Sequence, residues 1–172
     1  MGPEGLAGRI APVRRPAPIL TRCVAALTLC VAGLPPSSAA EPLATGDGTV
    51  PGQQVQIVEL KRDDAGLVTL KFVIVNGGDG DIRFSDREFG DSTKSDHNSV
   101  GGVHLIDAKN RKQYLVVRSA DGNCVCSRGL KTLKKGASAN VWAKFPAPPD
   151  SVERISVVVP SFMPVESVPI SR

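Results

Sequence analysis

Leu67–Asn76 reads LVTLKFVIVN. Val68, Leu70, Phe72 and Ile74 fall on one side of an extended chain, and Thr69 and Lys71 fall on the other. That period of two is the mark of a strand with one buried face. The Asn76-Gly77-Gly78 that follows is expected to supply the positive-φ residues of a turn.

The same reading extends in both directions. Before this strand, Gln53–Lys61 alternates in the same way. After it, short β-rich runs recur at Ile82–Phe84, Val103–Asp107, Gln113–Arg118, Ser138–Phe145, Arg154–Val159 and Val165–Ile170. The five polar residues Ala108–Lys112 between two of these runs predict a hairpin. In Ser138–Phe145, Val141, Ala143 and Phe145 share a side and Trp142 faces away. Residues 85–102 carry no period and read as a long surface loop, and 41–52 read as a flexible leader. The fold class is therefore all-β, an immunoglobulin-like antiparallel β-sandwich of about seven to nine strands over 53–172, with an antiparallel barrel as the alternative. The expected core is Val55, Ile57, Val68, Leu70, Phe72, Ile74, Leu105, Leu115, Val117, Trp142, Phe145, Ile155 and Val157.

Residues 1–40 have the composition of a signal peptide. Arg9, Arg14, Arg15 and Arg22 precede an uncharged run of 12 residues, Cys23–Leu34, and small residues stand at Ser38 and Ala40. The run falls short of the about 20 apolar residues a bilayer core requires, and no other segment is long enough, so no membrane span is expected in the chain that starts at Glu41. The chain holds 21 Lys and Arg against 17 Asp and Glu, and without the leader's four cations and one anion the excess falls to +1. So even a balance argues against nucleic acid as a partner, which calls for a basic face.

Cys124 and Cys126 are the thiols that remain beyond residue 40, and export to an oxidising compartment predicts a disulfide between them. Redox exchange or metal binding at Cys124-Val125-Cys126 is the alternative, although a soft-metal site needs more ligands than two. Gly77–Ile82 (GGDGDI) lacks the repeated ladder of a calcium loop. Ser99, His104 and Asp107 include the residue types of a hydrolase triad, but no nucleophile elbow surrounds them. No catalytic residue, metal site or cofactor is therefore assigned. Binding is expected on loops at the sheet ends: Lys109, Asn110, Arg111 and Lys112 at the hairpin tip, and Asp121 and Asn123 in the loop 119–129.

Asp121-Gly122-Asn123-Cys124-Val125-Cys126 and Trp142-Ala143-Lys144-Phe145-Pro146, within a stretch covering about residues 55–171, resemble the immunoglobulin-like, telokin-like domain of actinobacterial secreted proteins. In some relatives that domain precedes an outer-membrane-protein-A-type peptidoglycan-binding domain. The resemblance implies an exported sandwich without assigned catalytic residues. The expected function is thus a secreted, non-catalytic binding or structural module at the cell envelope, meeting a protein or cell-wall partner.

Overall fold

A computed structural model describes residues 41–84, 89–90 and 97–172. The expected export signal, 1–40, lies outside them, as do 85–88 and 91–96 of the expected surface loop. The described chain is all-β. Its strands are β1 (Ala44–Asp47), β2 (Gln53–Arg62), β3 (Leu67–Asn76), β4 (Ile82–Arg83), β5 (His104–Asp107), β6 (Lys112–Leu115), β7 (Thr132–Leu133), β8 (Ser138–Pro146), β9 (Arg154–Val158) and β10 (Val165–Pro169).

Two antiparallel sheets of four strands form, in the orders β1-β2-β3-β8 and β10-β9-β5-β6, beside a small β4-β7 ribbon. The first is built around β3, whose alternate residues Val68, Leu70, Phe72 and Ile74 are buried. From the second sheet, Leu105, Tyr114, Ile155, Val157 and Val168 join the same apolar cluster. The burial of alternate side chains from both sheets in one core is consistent with a β-sandwich.

The edges are covered by irregular chain. Along β2, β1 pairs with residues Gln54–Ile57. A bulge at Val58 then shifts the register, and Ser171 takes over the edge: the Arg62 amide donates to Ser171 at 2.9 Å and the Ser171 amide donates to Leu60 at 2.9 Å. At β8, the Val117 amide donates to Lys144 (2.8 Å), the Lys144 amide to Val125 (3.0 Å) and the Ser127 amide to Trp142 (2.8 Å). The chain after β6 thus leaves the second sheet and shields the first.

Several expectations change. The leader 41–52 contributes β1, and Gly46 explains how this strand fits. A Cβ there would stand 2.7 Å from the Val165 side chain, so only glycine lets β1 lie against β10. Gly77 does not adopt positive φ. It serves a close approach instead, its amide donating to Gly52 at 2.9 Å where an added Cβ would meet the Gly52 carbonyl at 2.6 Å. Leu115 is 62% exposed, Trp142 is 40% exposed and Val117 is half-buried, while Tyr114 and Val116 are buried in their place. The inward side of this segment is the even-numbered one, set by the pairing of Leu105 with Tyr114. Finally, the described part of the polar segment 85–102 is not all at the surface. Phe89, Ser99 and Val100 are buried, and Phe89 meets Phe84 and Phe162 edge-on at 5.0 and 6.3 Å between ring centres.

Candidate functional site

The expected hairpin tip forms, and its polar groups largely serve the turn itself. Asp107 is buried at the end of β5. Its carboxylate accepts from the Asn110 side chain (2.6 Å) and the Asn110 amide (3.0 Å). Those two bonds, the side-chain one foremost, hold its pKa below 3.8. Arg111 closes the turn at φ 52°. The Lys112 ammonium lies 5.1 Å from the centre of the Tyr114 ring. Lys109, Arg111 and Lys112 are exposed, and the tip faces β9 and β10 across a shallow hollow shared with Arg154 and Ser167.

The second expected loop is also closed on itself. The Ser119 amide donates to Asn123 (2.9 Å), the Gly122 amide donates to Ser119 (2.9 Å), and Arg118 Nη1 donates to the Gly122 carbonyl (2.7 Å). Asp121 is exposed and Asn123 half-buried. Tip and loop lie at the two ends of the run 112–118, and among the described residues no hydrogen bond or ion pair joins them. The structure therefore does not gather Lys109–Lys112 with Asp121 and Asn123 into one site.

Cys124 and Cys126 are bonded to each other, with their Cα atoms 5.3 Å apart. Both are buried in the core cluster. The bond braces the segment that pairs with β8, where Cys126 bridges to Ala143. The other sequence constellations resolve into local pairs. Lys134 binds Asp81 at 2.8 Å and Lys135 binds Asp79 at 2.7 Å. His104 Nδ1 lies 3.1 Å from the Gly102 carbonyl, whereas Asp107, three residues along β5, points to the opposite face. Ser99, His104 and Asp107 are therefore not assembled as a relay. Among the described residues no three His, Cys, Asp or Glu side chains gather as a metal site, and no helix is long and apolar enough to cross a membrane.

Besides a cleft of about 350 Å³ at the turn, lined by Asp47, Pro51 and Gln53, two surface clefts bear on a site. The larger, about 490 Å³, is lined by Arg62, Asp150, Arg154 and Arg172 among others. Its cations are engaged: Arg62 donates to the carbonyls of Pro148 (2.6 Å), Pro149 (3.0 Å) and Val152 (2.8 Å), Arg154 donates to Ser167 (2.6 Å), and Arg172 lies 3.8 Å from Asp150. This cleft is the rim of a structural clamp.

The smaller cleft, about 220 Å³, lies on the outer face of the β2-β3-β8 surface between Val58, Lys71, Val73, Asn140 and Trp142. Trp142 is the chain's single tryptophan. Its backbone is fixed on both sides, by pairing with Lys71 of β3 and by Ser127, whose Oγ accepts from the Trp142 amide at 3.0 Å. A large aromatic side chain is thus presented to solvent from a strand whose backbone is paired on both sides, next to the disulfide-braced segment. Placing Trp142 in the expected core hid this feature, although the alternation of Val141, Trp142 and Ala143 already pointed the indole outward. Neither a known protein family, nor a curated protein, nor a solved structure matches the chain.

Proposed function

We propose that the protein is an exported, non-catalytic binding module of the cell envelope, built as an immunoglobulin-like sandwich, whose working surface is the Trp142 face. The strand order supports the fold assignment. With β2, β3, β5, β6, β8, β9 and β10 taken as A, B, C, C′, E, F and G, the sheets read A-B-E and G-F-C-C′, with β1 added outside A. The leader composition and the Cys124–Cys126 bond support export.

The observation that carries the binding reading is the exposed, backbone-pinned indole of Trp142 over an apolar cleft. Large aromatic side chains are frequent anchors of recognition. Burial of both cysteines favours a bracing role over thiol exchange, which needs an accessible sulfur. Co-sedimentation with isolated cell envelopes tests the reading. Saturable retention that falls at least about tenfold in Trp142→Ala, a loss of about 1.4 kcal/mol or more, is expected. Equal retention of the two proteins would overturn it.

A further inference from the structure

The chemistry around Trp142 narrows what this face would hold. The charges that flank the cleft are paired. Lys71 lies 3.1 Å from Glu59, and Lys144 lies 3.3 Å from Asp63. Lys61, exposed on the same face one row further along, has no carboxylate partner among the described residues, so the face carries a single spare positive charge, little to hold a polyanion and nothing to hold a polycation. What remains unspent is amide chemistry. Asn140 is exposed and its side chain makes no hydrogen bond among the described residues. Gln56 Nε2 donates to Gln54 Oε1 at 2.9 Å, which leaves the Gln56 carbonyl and the Gln54 amino group open.

These groups are ordered by register. Gln56, Val73 and Asn140 lie in one row across β2, β3 and β8, and Glu59, Lys71 and Trp142 lie in the next. Each row spans about 10 Å, two inter-strand spacings. The surface is thus a small apolar floor with an aromatic plate at one side and uncharged hydrogen-bonding groups along its border. Its exposed large apolar residues are only Trp142 and Val58, 40% and 36% exposed. That is little for a stable protein interface, which buries about 800 Å² per partner around a centre depleted of charge. A ligand with a narrow apolar face and hydroxyls at its edges matches the arrangement, and a pyranose ring has that form.

We propose that the Trp142 face binds a neutral glycan chain, one sugar ring stacked on the indole and its hydroxyls held by Asn140 and Gln56. The proposal rests on the Trp142 face being the working surface, and it names the ligand class. Strand pairing holds the backbone of the platform in place, so the ligand orders side chains and not the chain itself.

The single tryptophan makes the test direct. The purified full chain is titrated with cellohexaose, chitohexaose and maltohexaose while tryptophan emission is followed, with calorimetry in parallel for Trp142→Ala. At least one oligosaccharide is expected to shift the emission saturably at millimolar concentration. Asn140→Ala and Gln56→Ala are expected to weaken that binding by about fivefold each, the equivalent of one hydrogen bond, and Trp142→Ala to abolish its heat. Both amide variants alter exposed or half-exposed side chains, and an unchanged circular-dichroism spectrum confirms their folding. No response to any of the three sugars overturns the glycan assignment. If envelope retention still depends on Trp142 in that case, the working surface stands and only the ligand class falls. If retention is indifferent to Trp142, both fall.

Discussion

Arg62 shows how one side chain can tie a connection to a sheet. Its side chain is 11% exposed, and its guanidinium donates to three backbone carbonyls in the segment between β8 and β9. That segment contains Pro148 and Pro149, which lack amide protons and cannot build a ladder of their own. Arg62→Met strands the three carbonyls and should cost about 2–4 kcal/mol in denaturant unfolding. Arg62→Lys should recover less than half of that, since one ammonium cannot reproduce the planar fork. Tyr114 is the opposite case. Its buried hydroxyl has no hydrogen-bond partner among the described residues, and burial, followed by the nearby Asp107 charge, pushes its pKa above 10.0. Tyr114→Phe should leave stability unchanged or raise it by up to about 1 kcal/mol, and a loss of more than about 1 kcal/mol would show that the hydroxyl is bonded. Asp107 gives a pH signature. Its folded pKa is depressed below 3.8, so its contribution is complete above the unfolded carboxylate value and disappears as pH falls through the folded one. Asp107→Asn should therefore be less stable at neutral pH and should lose less stability than the wild type when acidified below about pH 4.

At the level of elements, strands with strict alternation were legible and those made by tertiary pairing were not. Leu67–Asn76 emerges with the bounds its periodicity predicts, because four consecutive inward residues leave one workable register. β1 (ATGD) contains residues depleted from strands, and it forms only because β2 offers an edge and Gly46 clears Val165. β7 is two residues long and exists as the partner of β4. Around Leu115 and Val117, apolar residues occupy both faces, so periodicity alone could not choose the buried one. The disulfide was readable as a pair of neighbouring cysteines, but its placement against β8 depends on the chain crossing from one sheet to the other. Replacing both cysteines with alanine should destabilise the protein by about 1–3 kcal/mol, combining the entropy of a very small closed loop with lost burial. The same variant should shift and broaden Trp142 emission, because the segment that pairs with Trp142 loses its brace. An emission spectrum identical to that of the wild type would show that the brace does not reach β8.

For the whole molecule, the sequence disclosed two pleated layers and an apolar core but not the Trp142 face. The loops expected to bind are separated by the run 112–118 and closed by their own hydrogen bonds. The candidate face instead arises from three strands far apart in sequence, β2, β3 and β8, whose registers bring Gln56, Lys71, Asn140 and Trp142 together. No local motif encodes such a surface, since each residue is ordinary within its own strand. The account's central claim, that the Trp142 face makes the contact, is tested most directly by acrylamide quenching of tryptophan emission with and without solubilised envelope fragments. The free protein should be quenched readily, as its 40% exposure requires, and the bound protein should be shielded. Quenching that stays the same after the fragments have bound would contradict the claim.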